Sequence, residues 1–299
     1  VSTTALVRDL GRELDEGGLR GSFLVRDLDS GEELGIEPDL EFSTASLVKV
    51  PLAIATLERI RAGRIDGAEQ ILVRPGRGEA PVTGLSRFRH PARISVEDLL
   101  YLSVCLSDNT ATDALFALTP PERVAASLRA GGLRGITVRN TMRYLDDTPA
   151  DRLGPDGVHL AHSLAISGST AGRGHHIEQL DVTRASSGSA RAFADLLEAL
   201  WRPSAIDTGV AARVRELMGA NLLRHRLAPD FTSDVSRWSS KTGTLINLRH
   251  EVGVVEHADG QAFAVAVLTE SRVPAHHQPG AEALMARVAR ALHDHLRAR

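Results

Sequence analysis

Strand-type sequence stands at both ends of this chain and helix-type sequence fills its middle. That arrangement restricts the fold more than any other feature. Near the start, "GSFLVRDLDSGEELGI" reads as two strands around the turn "LDSGE". Near the end, "EVGVVEHA" and "QAFAVAVLTE" read as strands joined by "ADGQ". From Ser46 to about Met218 helical patterns dominate, among them "PLAIATLERIRAG", "SVEDLLYLSVCLS", "NTATDALFALT", "PERVAASLRAGG" and "SARAFADLLEALW". The pattern predicts an α+β fold. Residues 1–45 and 219–299 form an α/β lobe with an antiparallel sheet, and residues 46–218 form an inserted all-helical lobe. Terminal helices flank the sheet. One is capped by Ser2 or Thr3 and carries Leu6, Leu10 and Leu14 on one face; the other carries Leu284, Met285, Val288 and Leu292.

The segment from Asp146 to Asp181 breaks the helical pattern. It is rich in Gly, Ser, Asp and His, and the reading predicts a long surface loop over 144–182 with at most a short helix around "GVHLAHSLA".

Composition narrows the function classes. The chain has 299 residues, 42% of them hydrophobic, and a formal net charge of -3. Such a chain builds a large core and offers no charge-based reason to bind nucleic acid or a membrane surface. No apolar run reaches the roughly 18 residues of a membrane span. Cys105 is the sole cysteine, so an internal disulfide is excluded. The start, "VSTTALVRDLGREL", lacks the pattern of a signal peptide. The expected location is the cytoplasm, or outside the cell if a leader was removed. The expected working unit is a monomer.

The stretch "EFSTASLVKVPLAIA" carries the chemistry. Ser46 and Lys49 are three residues apart at the start of an apolar helix, so they project from one face. A serine hydroxyl needs a base, and burial lowers a lysine toward that role. Taken alone, S-x-x-K is common and reads better as a helix-capping serine and a surface lysine. Two further motifs change the balance: Ser107-Asp108-Asn109 at a helix junction, and Lys241-Thr242-Gly243 followed by Thr244 where strand character resumes. S-x-x-K, S-D-N and K-T-G occur together, in this order, in class A β-lactamases and penicillin-binding proteins.

The sequence therefore resembles the class A β-lactamase and penicillin-recognising serine-enzyme family over most of its length. The likeness includes the first helix, the first hairpin and "LMGANLLRHRLAPDF". It implies that Ser46 is the acylated nucleophile and Lys49 the general base or its partner. It implies that Ser107 relays a proton to the leaving nitrogen and that Asn109 holds Lys49 and a substrate carbonyl. Asp108 is then structural, Lys241 supplies positive charge, and Thr242 binds a substrate carboxylate. The backbone N–H of Thr244 joins that of Ser46 in an oxyanion hole.

One departure bears on turnover. The family's E-x-x-L-N loop, whose glutamate activates the deacylating water, has no counterpart in "VRNTMRYLDDTPADR". Arg143 or Tyr144 falls at the glutamate's place, and Asp146 and Asp147 are the nearest acids.

Arg249 is a candidate for meeting a substrate carboxylate, or a plain strand arginine. His159, His162, His175, His176 and Glu178 lack the H-E-x-x-H pattern of a zinc helix, and neither a metal nor another cofactor is expected. Cys105, Trp201 and Trp238 read as packing residues. The functional expectation is a serine hydrolase that cleaves, through an acyl-enzyme on Ser46, an amide or ester of a β-lactam-like compound or of another small molecule or peptide that bears a carboxylate. The alternatives are an active β-lactamase with a relocated base, an acyltransferase or D-peptidase of the same fold, or a non-catalytic binding protein.

Overall fold

The computed structural model describes residues 2–75, 84–168, 173–273 and 277–299. The elements run, in chain order, α1 (Thr3–Glu16), β1 (Leu19–Asp27), β2 (Glu33–Ile36), β3 (Phe42–Ser43), a 3-10 turn Ala45–Val48, α2 (Lys49–Arg61) and β4 (Gln70–Val73). After a 3-10 turn at Gly84–Arg87 come β5 (Ala92–Ser95), α3 (Val96–Cys105), α4 (Asn109–Leu118), α5 (Pro121–Ala130), α6 (Met142–Asp146), α7 (Pro149–Ser167) and β6 (Ser187–Gly188). The chain ends with α8 (Ala190–Trp201), α9 (Thr208–Gly219), α10 (Ala228–Phe231), β7 (Ser236–Leu245), β8 (Leu248–His257), β9 (Ala262–Ser271) and α11 (Pro279–Arg297).

Among the described residues the main sheet has five strands in the order β2-β1-β9-β8-β7, antiparallel throughout. The ends of the chain meet where β1 pairs with β9, Leu19 opposite Ser271 and Asp27 opposite Phe263. Both faces are covered, so successive residues of β9 serve different cores. Phe263, Val265 and Val267 pack toward α1, α10 and α11, and Ala264, Ala266 and Leu268 toward the helical lobe. Helix α2 runs through that lobe and is buried from Lys49 to Leu57. A helix enclosed on all sides is apolar all round, and this accounts for the composition of "VPLAIA". Among the described residues no helix is long and apolar enough to cross a membrane.

The inserted lobe is not purely helical, as residues 46–218 were expected to be. β4 and β5 pair as a hairpin, and β6 pairs with β3. These strands are two to four residues long, too short for alternation to show in sequence. The expected loop over 144–182 is also corrected: it contains the end of α6 and the 19-residue α7. Gly154, Pro155 and Gly157 disfavour a helix locally. Burial of Ala161, His162 and Ala165 along one face of α7 supplies the compensating packing. His175 tethers this helix, its Nε2 at 3.0 Å from the Ala165 carbonyl, while its Nδ1 accepts the Ile177 N–H.

Candidate active site

Ser46 sits in the 3-10 turn that leads into α2, half-buried, with Lys49 starting the α-helix. In a 3-10 turn residues i and i+3 eclipse, so this local geometry stacks the two residues of S-x-x-K. Ala45, just before the serine, has φ 47°. Ser107 has φ 58°. Each is a left-handed non-glycine residue, a conformation that costs on the order of 1–3 kcal/mol and collects at functional sites.

Lys49 is fully buried. Its Nζ donates to the Ser107 carbonyl (2.7 Å), Ser107 Oγ (3.1 Å) and Asn109 Oδ1 (2.6 Å). Burial drops its ammonium to about 7, against the opposing pull of Asp146, Asp108 and Asp113. Lys241 is equally buried and reaches Ser107 Oγ from β7 at 2.9 Å and the Thr242 carbonyl at 3.0 Å. Burial, then the charges of Lys49 and Arg226, push it well below the usual lysine range.

Ser107 Oγ thus receives N–H groups from two lysines. A hydroxyl has two acceptor positions and one proton. With both acceptor positions filled, the proton is free to be donated elsewhere. This is the arrangement a proton relay needs.

Asp108 caps α4 through Ala111 N–H (Oδ1, 2.8 Å) and accepts Leu85 N–H (Oδ2, 2.6 Å). It ties the 3-10 turn at Gly84–Arg87 to the S-D-N junction. Gly84 has φ 64°, and a Cβ there would lie 2.0 Å from Asp108 Oδ2. Gly243 plays the matching part on β7, the edge strand of the sheet. A Cβ at Gly243 would meet the Thr44 carbonyl at 3.1 Å and Leu47 Cγ at 3.2 Å, so glycine lets the K-T-G strand close on the turn that holds Ser46.

The model of the β-lactamase enzyme family matches residues 5–296. The chain belongs to that family. It is 65% identical over 309 residues to a protein of Streptomyces cacaoi named β-lactamase regulatory protein BlaB, covering 99% of each. In fold it is similar to the β-lactamase of Sphaerobacter thermophilus DSM 20745, with TM-score 0.77 and 20% identity over 100% of this chain and 99% of that one. It is likewise similar to a point mutant of PBP-A in an acyl-enzyme complex with penicillin G, with TM-score 0.74 and 19% identity over 99% and 97%. The expected α+β, β-lactamase-like fold holds.

Within this β-lactamase-family fold, Lys49, Ser107, Asn109 and Lys241 join in one hydrogen-bonded cluster. Thr242 is buried on β7 beside it, and Thr244 is exposed, its Oγ1 accepting Arg226 Nη2 at 2.6 Å. Arg249 lies opposite Thr244 in register. Its Nη1 donates to the Ile246 and Leu248 carbonyls of the β7–β8 turn at 2.7 and 2.8 Å, and burial lowers it to about 10. Cys105 is buried, donates to the Leu217 carbonyl, and is pushed up to about 11 by burial. Trp238 stacks on Phe231 in the core, and Trp201 is buried as well. Among the described residues no three His, Cys, Asp or Glu side chains gather into a metal site.

Sequence reasoning missed three supports. Buried Arg226 holds the K-T-G strand, donating to the Gly243 and His250 carbonyls (2.7 and 2.9 Å) and to Glu282 (2.9 Å). Glu251, buried beneath β7, accepts Trp238 Nε1, Ser240 Oγ and Leu227 N–H. His250 accepts the Thr269 N–H at Nδ1, so its Nε2 carries the proton and donates to the Ser43 carbonyl at 2.9 Å. Burial lowers this ring to about 3 and keeps it neutral. One compositional signal pointed to the site. Of 35 lysines and arginines, Lys49 and Lys241 are the chain's two lysines. Arginine stays protonated where a buried lysine releases its proton.

Proposed function

We propose that this chain is acylated at Ser46 by a small, carboxylate-bearing amide or ester of β-lactam type, and that the adduct is long-lived, so that the protein works as a receptor for such compounds. The supporting observation is the cluster in which Lys49 and Lys241 converge on Ser107. With Lys49 near 7, a large fraction is neutral at neutral pH. Lys49 takes the Ser46 proton as Oγ bonds to the substrate carbonyl carbon. The N–H groups of Ser46 and Thr244 stabilise the oxyanion. As the C–N bond breaks, Ser107 gives its proton to the departing nitrogen and is re-protonated by Lys49. Lys241 and Thr242 receive the substrate carboxylate. All these groups come from one chain, which suits a monomer.

Hydrolysis of the ester then needs a base for water, and the E-x-x-L-N glutamate has no counterpart here. The regulatory name of the 65% identical relative agrees with a persistent adduct. Intact-mass spectrometry after exposure to benzylpenicillin tests the reading. The expected result is a single adduct of the whole penicillin mass that persists after free drug is removed and is missing in Ser46→Ala. Absence of any adduct, or rapid multiple turnover, overturns it. Turnover lost in Asp146→Asn or Asp147→Asn would identify a hydrolase with a relocated base.

A further inference from the structure

Asp113 lies one turn beyond the S-D-N motif on α4. Its Oδ1 accepts the Met142 N–H at 2.7 Å and its Oδ2 the Arg143 N–H at 3.0 Å. These are orphan donors at the start of α6, where Thr141 makes no side-chain cap. Asp113 therefore caps α6 from another helix. At the other end of α6, buried Gln179 donates through Nε2 to the Tyr144 carbonyl (3.2 Å) and the Asp147 carbonyl (2.7 Å). Met142 and Leu145 pack inward. The short helix is held at both ends, and its last residue is Asp146.

Asp146 Oδ1 accepts Asn109 Nδ2 at 2.8 Å, while Asn109 Oδ1 accepts Lys49 Nζ at 2.6 Å. An amide has one donor end and one acceptor end. A flipped Asn109 would aim N–H groups at an ammonium and an oxygen at a carboxylate. The charge of Asp146 therefore fixes which end faces the lysine.

We propose that Asp146 is a positioning residue for acylation: clamped by Asp113 and Gln179, its carboxylate holds Asn109 with the amide oxygen toward Lys49 and lies one amide away from the lysine. The inference rests on the reading of Lys49 as the base. The charged groups around Lys49 are Asp108 at the head of α4, Asp113 on α4, Asp146 on α6 and Lys241 on β7. The three carboxylates favour the ammonium form and so oppose the effect of burial.

With two lysines in the chain, the experiment is direct. Protein labelled with 13C at lysine Cε gives one signal each for Lys49 and Lys241, distinguished by Lys49→Arg. In Asp146→Asn, the Lys49 titration midpoint should fall by about half a unit or more. The pH profile of penicillin acylation should move the same way. Asp146→Glu should restore both, and Gln179→Ala, which removes a clamp but no charge, should shift the midpoint in the same direction by loosening α6. An unmoved midpoint in folded Asp146→Asn, or an equal shift from Asp147→Asn, overturns the proposal. The two readings fail separately. A wild type that penicillin never acylates, yet shows the Asp146 shift, sinks the β-lactam reading and leaves Asp146 orienting Asn109 toward Lys49 for another acyl donor. Normal acylation with no shift sinks the positioning role alone.

Discussion

Lys49 and Arg226 are both buried cations of the candidate active site, and their surroundings differ. Lys49 donates to a carbonyl, a hydroxyl and an amide oxygen, all neutral. Arg226 donates to two carbonyls and a hydroxyl, and also to the Glu282 carboxylate. Buried charge without a contacting counterion leaves a group ready to titrate, and burial takes Lys49 to about 7. A counterion reverses the outcome. Burial alone would raise Glu282, but hydrogen bonds from His225 and Arg226 outweigh it and hold the carboxyl near 2. Neighbouring parts of one protein thus make a titratable amine and a fixed brace from the same burial.

The contrast is tested first on rate. Lys49→Arg keeps a cation but removes the neutral form, so Ser46 loses its base. Acylation should slow by about 10²–10⁴-fold, and the rise of wild-type rate through about pH 7 should vanish. Stopped-flow labelling at several pH values checks this. An unchanged profile would remove Lys49 from the base role and erase the contrast.

On stability the two cations should give opposite signs. Arg226→Met leaves Glu282 with only the half-exposed His225 ring as partner and strips the K-T-G strand of its brace. Breaking such a pair costs roughly 3–5 kcal/mol, read as a lower denaturant midpoint. Lys49→Met should instead stabilise. The folded lysine, near 7, binds fewer protons than the unfolded one, near 10.5, between those two values. Its burial penalty is therefore full below about pH 7 and fades as pH rises toward 10.5. The expected gain at pH 6 is on the order of 2–4 kcal/mol, shrinking toward zero at alkaline pH. A loss of stability at pH 6 would show that Lys49 contributes packing that outweighs its desolvation.

The parts of the fold that were legible in sequence are those with a strong period. Helix α1 with its Ser2 cap, the β1–β2 hairpin, and β8, β9 and α11 all follow from patterns in adjacent residues. Of helix α7 only the stretch "GVHLAHSLA" was legible, because Gly154, Pro155 and Gly157 argue locally against the rest and its support comes from distant packing. In the candidate site, the motif residues were legible because each motif is confined to a few neighbouring residues. Arg226, Glu251 and His250 were not, since each acts on a backbone atom or side chain that folding brings to it.

The sequence by itself determined the outline of terminal strands around a largely helical middle, the three motifs, and the choice of lysine at two positions in a chain otherwise served by arginine. Those properties reside in single residues and their close neighbours. The tertiary structure decided that both lysines converge on one hydroxyl, that Asp113 caps a helix 29 residues further along the chain, and that Asp146 faces Asn109. It also decided the charge of Lys49, because desolvation and the distances to three carboxylates depend on which segments pack together, and no local pattern of residues records them.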